Sequence, residues 1–403
     1  MATPKYRRVL KIVVAVPLFA VTAIVAFLGL LWLDHFRVTV LPTPTGPFAV
    51  GRTQYVWADS AYTDSAAPPS GTETKLLAWI WYPAATPPNQ VFDDYLPASW
   101  RIALAHQTGF LLAQFLNRDL SRVRTHSVRE AEVSPRQNSY PVVLMRGGHS
   151  ALTMNYTTLA EDLASHGYVV VGIDAPYRTF VVVLPDGKVI ARSPKNNAEL
   201  GSGAERVQVA TKLVQTWSAD MSFALDQIEQ LNAADASGRF RGKLDLQHVG
   251  ALGHSLGGAE ALQFCHDDPR CKAGIDVDGA PFGSVVAEGV TQPFLLLMSD
   301  HSSESAEETG PIEANLRKIF DRLPRERRLQ VTIQRATHFG FQDDVRNHIV
   351  MSLLRLGGKR LDGRRQLVIA SHYIDAFFDV YLRGEPVAKL SSSCDDPEVE
   401  CVR

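Results

Sequence analysis

Seven short apolar runs recur between residues 50 and 388, at 76–82, 141–145, 168–173, 248–252, 273–277, 293–298 and 329–333. Most are continuous rather than alternating, the pattern of strands covered on both faces. Longer stretches with helical spacing separate them. Residues 205–231 repeat Ala210, Leu213 or Val214, Trp217, Met221 and Ala224 on one stripe, and 365–382 place Ile374, Phe377, Phe378 and Tyr381 together. Residues 157–166 end at Gly167, a helix-capping glycine, and 258–266 form a further helix. This alternation predicts an α/β fold with a mostly parallel central sheet flanked by helices. The aromatic stripes are core, with no cofactor role.

Forty-one Lys and Arg stand against 43 Asp and Glu, a net charge of −2, so electrostatics give no case for nucleic acid as a partner. A chain of 403 residues buries a full core without metals or staples.

Residues 12–33 carry no charge, and 22 helical residues cover the ~30 Å hydrocarbon core of a bilayer. Lys5, Arg7, Arg8 and Lys11 precede the run, whereas Arg37 is the only cation in the 18 residues after it. The positive-inside rule then predicts a cytoplasmic tail at 1–11, a transmembrane signal anchor at 12–33, and everything after it outside the cytoplasm. A cleaved secretory signal is the rival reading, but the run is long for one and leads into Asp34-His35-Phe36, a poor cleavage site. Pro42, Pro44 and Pro47 mark 34–49 as a stiff linker, 50–388 as the catalytic domain, and 389–403 as a loosely structured tail. Residues 99–127 are apolar enough either to flank the domain or to form a lid or lipid-facing surface. The oligomeric state has no signature. Cys265 with Cys271 and Cys394 with Cys401 form two close pairs without zinc spacing, the arrangement of local disulfides in an oxidising compartment.

The most informative stretch is His248-Val-Gly-Ala-Leu-Gly-His-Ser-Leu-Gly257 followed by Gly258-Ala259-Glu260. A strand, G-x-S-x-G and a helix in succession predict a nucleophile elbow with Ser255 at its tip. Catalysis by such a serine needs two backbone N–H donors for the oxyanion. One belongs to Leu256; the other lies in Arg146-Gly147-Gly148-His149-Ser150, after the strand at 141–145, with His149 the candidate and Gly148 the alternative. The base must come after the last strand, which selects His338 over His348 and over His301, which follows too early a strand. Two acids remain open: Asp278, with Asp276 deeper on the same side of its strand, and Asp300. The general expectation for the fold favours Asp300.

Several pieces resemble the secreted platelet-activating factor acetylhydrolases and their bacterial relatives across about 46–344. They are Gly46-Pro-Phe-Ala-Val-Gly51 with Trp81-Tyr82-Pro83, Leu163-Ala-Ser-His-Gly167, Gly253-His-Ser-Leu-Gly-Gly258, Gly274-Ile-Asp-Val-Asp-Gly279 and Val331-Thr-Ile-Gln-Arg-Ala-Thr-His338. The resemblance implies an α/β-hydrolase fold with Ser255 as nucleophile, His338 as base, Asp278 as acid, and the N–H groups of His149 and Leu256 as oxyanion hole. It implies no cofactor or metal, and a small-molecule or lipid ester as substrate: short or oxidised acyl groups, including the sn-2 ester of a phospholipid. Arg146-Gly147 stands where the family usually has Ser-His, and the N-terminal anchor is a further departure. Two other readings stay open: a cutinase-type polyester or lipid hydrolase using Asp300, and an inactive hydrolase fold serving as a binding module.

Overall fold

The computed structural model describes residues 4–59, 74–86, 91–109, 112–149, 151–197, 203–343, 345–346, 348–355, 360–392, 394 and 396–403. Phe110, Leu111 and Ser150 of the stretches above lie outside the described residues.

The strands are β1 (Thr39–Val40), β2 (Ala49–Asp59), β3 (Thr74–Ala84), β4 (Phe92–Asp94), β5 (Val123–Arg129), β6 (Tyr140–Arg146), β7 (Val169–Asp174), β8 (Val181–Val183), β9 (Val189–Ala191), β10 (Leu244–His254), β11 (Cys271–Val277), β12 (Phe294–Met298), β13 (Arg328–Ile333) and β14 (Val399–Val402). The helices are α1 (Pro4–His35), α2 (Ala98–Thr108), α3 (Thr157–Ser165), α4 (Gly203–Ala234), α5 (Leu256–Asp267), α6 (Val285–Glu288), α7 (Ala306–Arg322), α8 (His348–Arg355), α9 (Gly363–Arg383) and α10 (Ala388–Ser392).

A 12-stranded sheet runs β1-β5-β2-β3-β7-β6-β10-β11-β12-β13-β14, with β4 beside β5. From β7 to β13 every neighbouring pair is parallel, while β3 is antiparallel to both β2 and β7. The seven expected strands coincide with β3, β6, β7, β10, β11, β12 and β13, none reaching more than one residue beyond the observed ends, with β10 starting four residues earlier than expected. Their continuous apolarity has the anticipated cause, because β6 is buried along its whole length. Val143 and Met145 pack in one core with Leu159 of α3 and Phe377 of α9. Val142 and Leu144 pack in the other, with Met221 of α4 and Leu262 of α5. Two helical layers thus sandwich the sheet and hold the carboxyl ends of its strands in fixed register.

The stretch at 34–49 is not the free-standing linker its prolines suggest. Asp34, His35 and Leu41 are buried, β1 pairs with β5, and the Phe48 N–H donates to Ser165 O at 3.0 Å. The prolines fix the path of a strap that finds backbone partners on the domain, where a spacer would leave them to water. The tail also departs from expectation. Its β14 pairs antiparallel with β13, and a Cys394–Cys401 disulfide closes the segment beside it; Cys265–Cys271 is bonded too. In α2, Trp100 and Ala103 pack inward while Ile102 is 72% exposed, so the 99–127 stretch combines a packed flank with an outward apolar face.

Among the described residues, one helix is long and apolar enough to cross a membrane, over Val14–His35. At its end Leu31 is buried, His35 Nδ1 lies 2.8 Å from Asn117 O, and the Asp119 N–H donates to His35 O at 2.9 Å. The helix therefore joins the domain through a hydrogen-bonded seam.

Candidate active site

β10 ends at His254 and α5 begins at Leu256, leaving Ser255 to make the whole turn with φ +57° and ψ −124°. A serine in that region is strained, and the chain holds it there by packing. A Cβ on Gly253 would meet Gly257 O at 1.8 Å, and one on Gly257 would meet Arg146 O at 2.5 Å. Both positions therefore require glycine. The Ser255 N–H donates to Val277 O at 2.8 Å, pinning the turn to the end of β11.

Three expected side chains converge here. His338 opens a short turn after β13; its Nε2 is 3.0 Å from Ser255 Oγ and its Nδ1 is 2.7 Å from Asp278 Oδ2. Asp278, one residue past β11 and buried, also accepts from the Ser299 N–H at 2.8 Å and the Ser299 hydroxyl at 2.7 Å. Burial works to raise its proton affinity, but hydrogen bonds from His301 and His338 overcome this and hold the carboxyl well below the usual carboxylate range. Asp300, the rival acid, accepts instead from the N–H groups of Ser302 at 3.0 Å and Arg335 at 2.8 Å, bracing a loop. Asp276 accepts from the Gly279 N–H at 2.8 Å beneath the elbow, and burial pushes its carboxyl well above the usual range. It is a structural acid.

The two oxyanion candidates have different surroundings. The Gly148 N–H donates to Tyr156 Oη at 2.9 Å and so is already engaged. His149, the other candidate, has its ring 2.9 Å from Asn197 Oδ1 and stacked on Trp217, with Arg192 donating to its carbonyl at 3.1 Å. Leu256 is the first residue of α5, so no acceptor lies one turn earlier for its N–H.

Four neighbours join the site beyond the expected residues. Tyr156 Oη lies 2.8 Å from His254 Nδ1 and also receives Gln342 Nε2 at 3.3 Å. His254 Nε2 is 2.9 Å from His338 O. The hydroxyl, already accepting from Gly148, donates to Nδ1, which leaves the proton on Nε2 to donate to the carbonyl. Burial and the neighbouring His338 lower the His254 pKa to about 3, so the ring stays neutral. This network links elbow, base and oxyanion loop. His254 was visible inside the G-x-S-x-G motif; Tyr156 and Gln342 had no signal. The fourth is His301, set aside on chain order, whose Nε2 lies 2.8 Å from Asp278 Oδ1.

Arg146 is buried at the end of β6, its Nε 3.0 Å from Glu260 Oε2 of α5, with the guanidinium over the Trp217 ring at 4.3 Å. Away from Ser255, the ligand-type atoms of Asp162, His166 and Asp375 lie within 4.8 Å of one another. His166 Nδ1 is 2.7 Å from Asp375 Oδ2, and burial brings Asp375 up to about 7. That contact joins the end of α3 to α9.

A profile of the family described as platelet-activating factor acetylhydrolase, isoform II, matches residues 35–383. The chain belongs to this family. Membership makes it a serine ester hydrolase. The platelet-activating factor acetylhydrolase of Cavia porcellus is 24% identical over 375 residues, covering 87% of this chain and 80% of that protein. A probable 1-alkyl-2-acetylglycerophosphocholine esterase of Arthroderma benhamiae is 26% identical over 281 residues, covering 64% of this chain and 65% of the relative. A ferulic acid esterase from Streptomyces cinnamoneus matches in structure with a TM-score of 0.69 at 24% identity, over 91% of this chain and 100% of that one. That likeness speaks for the α/β-hydrolase fold of this platelet-activating factor acetylhydrolase family member.

Proposed function

We propose that this acetylhydrolase family member cleaves short-acyl carboxylic esters, the sn-2 ester of phospholipids among them, through an acyl-serine intermediate. The observation that carries the reading is the bridging position of His338, 3.0 Å from Ser255 Oγ on one side and 2.7 Å from Asp278 on the other. His338 Nε2 takes the serine proton as Oγ attacks the ester carbonyl. The N–H groups of Leu256 and His149 receive the oxyanion. His338 then passes the proton to the leaving alcohol, while Asp278 fixes the ring tautomer and stabilises the imidazolium. Water repeats the sequence and releases the acid.

The substrate class rests on the names of the relatives, an acetylhydrolase and an alkyl-acetylglycerophosphocholine esterase. A signal anchor over residues 12–33, with the N-terminus cytoplasmic and the catalytic domain outside, suits an amphiphilic substrate. Full-length protein in membranes is assayed with nitrophenyl esters of increasing chain length and with a short-acyl phospholipid. Turnover that falls steeply beyond short acyl groups supports the substrate class, and a preference for long acyl chains contradicts it. A reporter fused after residue 40 reads the topology, and a cytoplasmic signal there refutes it.

A further inference from the structure

Asp278 serves two histidines. His338 Nδ1 occupies Oδ2 at 2.7 Å, and His301 Nε2 occupies Oδ1 at 2.8 Å. The other nitrogen of His301, Nδ1, lies 2.8 Å from Glu304 Oε1. Both ring nitrogens thus face carboxylate oxygens. A neutral imidazole has one proton to give and would set a bare lone pair against the second oxygen; only the imidazolium satisfies both. The hydrogen bond that the ring donates to Asp278 is the largest cause bringing His301 up to about 9, partly opposed by burial and reinforced by Glu304.

The charges around this ring are few. Asp278 faces it from the end of β11 and Glu304 from its own loop. Asp300 adjoins it in the chain, with its carboxylate turned to Ser302 and Arg335, and His338 stands across Asp278 from the turn after β13. Ser299 Oγ lies 3.2 Å from Nε2.

We propose that His301 is a positioning residue, an imidazolium clamped between Asp278 and Glu304 that sets the pH range over which His338 acts as a base. The inference rests on the triad proposed above. It has two physical parts. The Nε2–H bond, together with the two bonds from Ser299, fixes the carboxylate plane so that Oδ2 faces His338. The positive charge also offsets part of the Asp278 charge that stabilises protonated His338, so His338 sheds its proton at lower pH than a lone Asp278 would allow. The device trades some stabilisation of the transition-state imidazolium for a base that stays available under mildly acidic conditions.

The test is the pH profile of kcat/KM for full-length wild type, His301→Gln, His301→Leu and Glu304→Gln on one nitrophenyl ester. His301→Gln keeps a donor but no charge, and its acidic limb moves to higher pH by roughly one unit. At pH values below the wild-type limb this reads as a loss of about tenfold, closing at neutral pH. His301→Leu shows the same shift with an additional fall in the plateau, since the donor is gone. Glu304, half exposed, changes without disturbing the core; Glu304→Gln moves any alkaline break due to His301 to lower pH. Superimposable limbs for wild type and His301→Gln overturn the proposal, as does an alkaline profile untouched by Glu304→Gln. Ser255→Ala measured alongside separates the two levels. If it is inactive while the His301 profiles coincide, only the role of His301 fails; if it retains wild-type activity, the triad itself fails.

Discussion

The guanidinium of Arg146 meets the carboxylate of Glu260 at 3.0 Å, both side chains almost wholly buried, so the strand leading into the oxyanion loop is ion-paired to the helix that begins at the nucleophile. Burial works to push Glu260 toward its neutral form, and the Arg146 charge opposes that. Removing one partner strands a charge in the core. Arg146→Ala or Glu260→Ala is expected to cost about 3–5 kcal/mol in denaturant unfolding. The apolar pair Arg146→Met with Glu260→Leu is expected to recover most of that stability. A double variant no more stable than the singles would contradict this reading of the pair.

Tyr156→Phe leaves the Gly148 N–H and His254 Nδ1 without their shared partner. The expected cost is about 1–3 kcal/mol of stability. A fall in kcat of roughly tenfold should accompany it as the oxyanion loop loosens, with KM little changed. Unchanged kcat would show that the network serves folding alone.

The pH dependence of stability has a component with a definite sign. His254 has a folded-state pKa of about 3 against an ordinary value of 6.5. Between those values the unfolded chain binds a proton that the folded protein refuses, so stability falls as pH drops from 6.5 toward 3, by on the order of 5 kcal/mol in total. Asp343, brought up to about 7 by burial, works in the opposite sense: its contribution is present below pH 4 and is lost as pH rises toward 7. Thermal unfolding of wild type and His254→Asn across this range isolates the first component. The variant's midpoint should fall less on acidification than that of wild type.

The Cys394–Cys401 disulfide closes a short loop beside the edge strand β14, far along the sheet from β10 and Ser255. Its loss is expected to cost roughly 2 kcal/mol in the loop-entropy model. A Cys394→Ser, Cys401→Ser variant should be clipped faster in its last residues by protease while keeping its esterase rate. Loss of activity without clipping would place the tail in the site.

What the sequence disclosed follows from which interactions are local. The strands around Val143, Val170 and Leu296 are buried on both faces, so their residues are apolar without interruption and legible one by one. Strand β2 mixes Arg52, Thr53 and Gln54 with Tyr55 and Trp57, because it pairs antiparallel near the edge of the sheet, and no continuous run marks it. The end strand β14 has only 4 residues and depends on pairing with β13, a contact across more than 60 residues of chain. At the site, Ser255 and His338 announce themselves through chain order and the elbow motif. The choice between Asp278 and Asp300 is a matter of which strand end faces one imidazole, and residue type alone carries no such information. Chain order set His301 aside as a base and gave no sign of its place behind the acid.

The central claim is tested most directly by intact and peptide mass analysis of the full-length protein after treatment with a fluorophosphonate probe, with Ser255→Ala as control. The account predicts a single adduct on the peptide containing Ser255, none in the variant, and loss of ester hydrolysis in step with labelling. Absence of labelling in the wild type, or equal labelling and turnover in Ser255→Ala, would contradict it.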